Sequence, residues 1–231
     1  MPSLIWKEWH EQSWKLGFGC VVLGALALIG LHARLVADET LAMWVCFLGL
    51  SLLPVLSSTG LLPAERGEGS FESLLALPVQ PWRILLAKTG IGFLLCVGPM
   101  TAAAVASLLM AGGRELTSES MLVLYGRSTL VALSLFIWML ALTARLPSEA
   151  RAGLLAMGIL IFWLLATAGL ADPDVPSVAF AVSPFALVYG YSNGFSAAPP
   201  LALVLAVQVV VLSLLWVWTS RRLTGVVETN P

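Results

Sequence analysis

The chain has 231 residues, 59% of them hydrophobic and 11% charged, with a formal net charge of −1 and a mean hydropathy of +0.93. Soluble domains carry about 45–50% apolar and about 25% charged residues, so this composition excludes an ordinary water-soluble domain. A balanced charge leaves no electrostatic footprint for nucleic acid, and one membrane domain over residues 1–231 is the simplest organisation.

In chain order, the first element predicted is an interfacial helix over residues 1–16. Helical spacing puts Lys7, Glu11 and Lys15 on one stripe with Glu8 beside it, while Ile5, Trp6, Trp9 and Leu16 lie towards the other side. Tryptophan favours the headgroup level, where its ring is buried and its N–H stays wet. The acids Glu8 and Glu11 set the segment apart from the short basic leader of a secretory signal. Six charge-poor apolar stretches of about 20 residues then follow, each long enough to cross a bilayer. They run over 17–31, 41–62, 89–113, 121–144, 152–171 and 201–220. The fourth is interrupted by Arg127, the one charge expected inside a span, where snorkelling to the surface competes with substrate contact. Cys20, Cys46 and Cys96 sit inside apolar runs at spacings that fit neither a CxxC pair nor a zinc pattern, and read as packed thiols.

Orientation follows the distribution of lysine and arginine, which favour cytoplasmic loops. With the N-terminus inside, that side holds Lys7, Lys15, Arg66, Arg83, Lys88, Arg145, Arg151, Arg221 and Arg222, nine of the twelve basic residues. Both termini are therefore expected in the cytoplasm of a prokaryote, with the chain multi-pass in the plasma (inner) membrane. The outer stretch 172–200 has no basic residue, yet is rich in apolar and aromatic side chains and is broken at Pro184 and near Asn193-Gly194. Half-helices dipping back into the membrane fit it, because irregular backbone at that depth survives only when shielded.

The cytoplasmic segment 63–83 is the second amphipathic stretch. Ser70 can cap a short helix with Glu72 in its first turn. Phe71, Leu74 and Leu75 share one face, Glu65, Glu68 and Glu72 are polar, and Pro78 ends the helix. Pro81 opens a second short turn carrying Trp82 and Arg83. A capped amphipathic helix with acidic residues suits docking to a soluble partner, its charges facing that partner.

This segment resembles that of the permeases of the type-2 ABC export family. There, an acidic-basic pair, Gly-Ser or Gly-Thr, a glutamate, a Leu-Leu run and a proline follow the second span. Here those positions are Glu65-Arg66, Gly69-Ser70, Glu72, Leu74-Leu75 and Leu77-Pro78, followed by Trp82-Arg83 and Lys88. The interfacial N-terminus, the six-span plan and the re-entrant outer stretch extend the resemblance over nearly the whole chain, and the haem-exporter permeases of cytochrome c assembly are similar. The resemblance implies an all-α polytopic permease with an ATPase-coupling segment made of Glu65, Arg66, Gly69, Ser70, Phe71, Glu72, Leu74 and Leu75. It also implies a pathway or outward gate involving Arg127, Pro184, Tyr189 and Tyr191. The partners implied are two ABC ATPase subunits, a second permease copy or a paralogue, the lipid bilayer, and accessory periplasmic or membrane proteins.

No Gly-x-x-x-x-Gly-Lys-[Ser/Thr] occurs in the chain, so no cofactor is expected to bind it directly and ATP and magnesium belong on the partner. An intramembrane enzyme is the reading from another class. Gly194-Phe195-Ser196 faintly resembles a serine-nucleophile turn, but the histidines His10 and His32 are expected at opposite faces of the membrane and no acidic partner is evident. HExxH is absent, and no catalytic or metal site is expected. A transporter without an ATPase, or a scaffold subunit of an assembly system such as cytochrome maturation, stays open beside the exporter.

Overall fold

The computed structural model describes residues 2–33, 38–67, 69, 80–110, 118–170, 177–188 and 200–228. These form helices α1 (Pro2–Ala33), α2 (Asp38–Thr59), α3 (Leu62–Gly67), α4 (Pro81–Met110), α5 (Ser118–Thr143), α6 (Glu149–Leu170), α7 (Ser177–Val182) and α8 (Leu201–Glu228). Among the described residues there is no strand. Six helices, α1, α2, α4, α5, α6 and α8, are long and apolar enough to cross a membrane, the architecture of a polytopic membrane protein.

α2, α4 and α5 form the centre and are the most buried spans. α1 lies along α4, α2 along α5, and α6 packs on α2. α8 contacts α5, α4 and the short α7, and is the most exposed span, followed by α1. Small residues let the backbones approach, as is usual where helices associate in lipid. Gly19 of α1 is one such point: a Cβ there would lie 2.8 Å from Cγ of Pro99 and 3.4 Å from Leu53.

Two boundaries differ from expectation. α1 runs unbroken through residues 16 and 17, so the N-terminal segment is the first part of a 32-residue helix rather than a separate element. At 1.5 Å per residue that helix is about 48 Å long, against a hydrocarbon core of about 30 Å. Its N-terminal turns are held in line by packing on α4, described below. α4 likewise begins at Pro81, so Trp82 and Arg83 belong to its first turn and not to a separate one. Proline suits this first helical position because its missing N–H would find no partner there anyway. The Gln80 carbonyl accepts from Arg83 N–H, and its side-chain oxygen accepts from the Trp82 indole at 2.7 Å.

Gly19→Val should strain the α1–α4 contact, because the Pro99 ring cannot swing aside. The expected cost is about 1–3 kcal/mol, seen as a lower midpoint of thermal unfolding in detergent, whereas Gly17→Ala, which meets open space, should leave that midpoint unchanged.

Candidate functional site

Glu8 and Gln12 are one turn apart on α1 and share a face. That face turns into the protein, where both side chains are buried, while Trp6, Trp9 and Trp14 on the other sides are exposed. Across from it, two turns into α4, stands Lys88, with 0% of its surface accessible. After α2 the chain turns at Gly60-Leu61 into α3, which presents Glu65 to the same place. The Lys88 ammonium is 2.5 Å from Oε1 of Glu8, 2.8 Å from Oε2 of Glu65, and donates to the Leu61 carbonyl at 3.4 Å. All three of its N–H groups therefore have an acceptor.

A second layer surrounds this centre. Lys7 Nζ lies 3.8 Å from Glu65 and 3.6 Å from Glu11, on the more open side. Gln12 donates to the Gly60 carbonyl at 2.8 Å. The Lys15 ammonium occupies the space that a Cβ would need at Gly60, so only glycine allows the turn to pass there. The carboxylates of Glu8, Glu11 and Glu65 converge within 4.8 Å, a spacing that could hold a cation. Here the ammonium groups of Lys88 and Lys7 supply the positive charge.

Taking such groups out of water costs several kcal/mol per ion, so the pairing adds little net stability compared with an apolar core. What it does provide is registry. The three groups come from α1, α3 and α4, and none can move without leaving a buried charge uncompensated. Glu65 and Lys88 also flank the segment 70–79. The ion pairs thus tie together the two points at which that segment leaves and re-enters the bundle, and fasten both to α1.

Of the residues picked out by sequence, Glu65 points inward to Lys88 rather than outward to a partner, because a fully buried ammonium nearby outcompetes solvent. Arg66 is half-buried and close enough to Arg145 for their charges to repel. Gly69 sits in an exposed turn with φ of +72°, the left-handed region that favours glycine, and its N–H donates to the Arg66 carbonyl. Ser70, Phe71, Glu72, Leu74 and Leu75 lie outside the described residues, as do Tyr189 and Tyr191. Arg127 is half-buried on α5, about 14 Å along the helix from Ser118. Glu8 and Lys88 were visible as charges beside apolar runs, yet nothing local marked them as partners.

A second buried polar site lies around Pro184. α7 ends at Val182 and the chain turns over Ser183–Phe185, with Phe180, Pro184 and Phe185 all buried. The last carbonyls of a helix have no partner within it. Here those of Ala181, Val182 and Ser183 accept from the Gln208 amide of α8 at 2.9, 3.0 and 3.0 Å. The Gln208 oxygen in turn accepts from the Ser134 hydroxyl of α5 at 2.7 Å. Ser183 also shares a hydrogen bond with Thr167 of α6. Irregular backbone is thereby shielded by protein, and Pro184 is brought into contact with three spans, whereas Arg127 is not part of this network. Gln208 is the sole amide in the apolar run 201–220, a signal that sequence reading passed over.

No protein-family model, curated protein or solved structure matches the chain. The reading of both sites therefore rests on their own chemistry.

Lys88→Met should leave Glu8 and Glu65 facing each other without a counter-charge, destabilising the fold by about 3–5 kcal/mol. Neutralising all three, with Glu8→Gln, Glu65→Gln and Lys88→Met together, should recover most of that loss in detergent thermal unfolding. Gln208→Leu should cost about 1–3 kcal/mol by stripping donors from buried carbonyls. Hydrogen exchange at the amides of 183–188 would report it as faster opening relative to α5.

Proposed function

We propose that the chain is the membrane-spanning permease subunit of an ATP-driven exporter of the type-2 ABC class, coupled to an ATPase carried on another polypeptide. The observation that supports this best is the ion-paired base of the segment 63–83. A loop that merely joins two spans does not need its flanks bound by a buried lysine. A loop that receives force does, because a push on it must reach several helices at once. Through Glu65, Lys88 and Glu8, displacement of the segment would be shared by α1, α3 and α4 instead of being lost in local bending. The motif residues Glu65-Arg66, Gly69-Ser70, Glu72, Leu74-Leu75 and Trp82-Arg83 lie between or beside these points.

In this reading two permeases, copies or paralogues, pair in the inner membrane of a prokaryote, and two ATPases bind beneath them with ATP and magnesium. Both termini and the segment 63–83 face the cytoplasm. Closure of the ATPases presses on the segment, and the linked helices rock between inward- and outward-open states. The broken stretch around α7 and Pro184, held by Gln208, forms part of the outward gate, with Tyr189 and Tyr191 further along it. The chain itself supplies pathway and linkage, not catalysis, consistent with the lack of a phosphate-binding Gly-x-x-x-x-Gly-Lys-[Ser/Thr] loop.

Affinity purification of the tagged chain from its native membrane should bring down a soluble polypeptide bearing that loop, and Glu72→Lys should reduce its recovery at least about ten-fold, the effect of losing roughly 1.4 kcal/mol. Absence of such a polypeptide, or full recovery with Glu72→Lys, would favour a transporter without an ATPase or an assembly scaffold. Gly69→Cys offers an independent check of sidedness: a membrane-impermeant maleimide should label it in inverted vesicles but not in intact cells.

A further inference from the structure

We infer that the end of the bundle carrying Lys88 also holds a binding site for the headgroup of an anionic phospholipid, built from Arg145, Trp218 and Arg222. The outer face of α8 carries Val210, Leu214, Trp218 and Arg222 at four-residue spacing, so they form one ladder along the helix. All four are exposed, with Val210 at 58% and Leu214 at 64%. On the most exposed span of a polytopic membrane protein, such a ladder faces acyl chains. It ends in an aromatic ring and then a cation, the order met on passing from hydrocarbon to headgroup.

The cation is held in place. The Arg222 guanidinium carbon lies 3.7 Å from the centre of the Trp218 ring, an arrangement that orients its N–H groups outward. From the α5–α6 turn, Arg145 donates to the Arg222 carbonyl at 3.3 Å and stays exposed itself. Two guanidinium groups from different spans are thus brought to one spot, and Arg66 is near enough to repel Arg145. Glu149, the described acid nearest to Arg145 in sequence, lies within electrostatic reach of Lys15. Convergent positive charge at headgroup level, continuous with a lipid-facing apolar ladder, is complementary to a phosphodiester with acyl chains attached. Basic pockets between spans recognise anionic lipids in this way. A soluble acidic protein would match the charge but not the ladder. This inference requires only that the chain lies in a membrane and is independent of the exporter reading.

Native mass spectrometry of the full chain, purified with whatever subunits accompany it, tests the site. The delipidated protein is titrated with phosphatidylglycerol and with phosphatidylcholine. Phosphatidylglycerol should bind roughly 30-fold more tightly, each of the two arginines contributing about five-fold. Arg145→Gln with Arg222→Gln should bring the two lipids close to parity, whereas Arg145→Lys with Arg222→Lys should keep most of the preference. Trp218→Leu, a surface change that leaves the charges, should weaken phosphatidylglycerol binding by about two- to five-fold, the value of an exposed cation–π contact. Equal binding of the two lipids by the unmodified protein would overturn the proposal, as would an unchanged preference in the double glutamine variant. Displacement of the lipid by inorganic phosphate at equal concentration would also overturn it, by showing a site for a free anion. Loss of an accompanying subunit with lipid preference intact would assign the arginines to protein docking instead.

Discussion

A lysine with no access to solvent, bonded to two carboxylates and a carbonyl, is the constraint on which one end of this protein depends. Lys88 cannot lose either acid without stranding charge in a low-dielectric interior, and so α1, α3 and α4 keep a single relative placement there. The hydrophobic contacts that fill the rest of the bundle have no such exactness. Leucine and alanine side chains slide past one another at small cost, whereas an ion pair lost from a buried site is not replaced by its neighbours. The cluster contributes specificity more than net stability, and it stands at the two flanks of the segment with most of the family-like motif.

The N-terminal part of α1 shows how the surroundings invert an amphipathic helix. In water the tryptophans would be folded away and Glu8 and Gln12 would be wet. Here the polar pair is buried against α4 and the α2–α3 turn, with Trp6, Trp9 and Trp14 on the outside. Exposed tryptophan beside Lys7 and Lys15 is economical at a membrane surface, where rings and ammonium groups share the headgroup layer. The same inversion explains why this stretch continues the first span without a break, since its inward face is fastened by ion pairs to a neighbouring span.

The six spans were legible because runs of about 20 apolar residues have few alternative uses, and Pro81 and Leu201 open helices where proline and composition suggested. The ion cluster was not, because Lys88 and Glu8 are 80 positions apart and a pair so distant leaves no local periodicity. Glu65 was read as a charge for a partner, since nothing in its own neighbourhood reveals a buried lysine 23 residues later. Gly69 was noticed as motif and proved to be conformational, with its positive φ explaining the glycine. Pro184 was rightly placed at a break, but what satisfies the freed carbonyls is a glutamine on another span. A solitary amide in an apolar run was the available clue.

Gln208 grips oxygen atoms of the main chain, which every amino acid possesses. The side chains at positions 181 and 182 are therefore free to drift during evolution so long as they remain small or apolar, while the information that fastens this bend is stored some 25 residues downstream. A substitution survey of the bend itself would find tolerance and suggest indifference, and would look for the lock in the wrong helix.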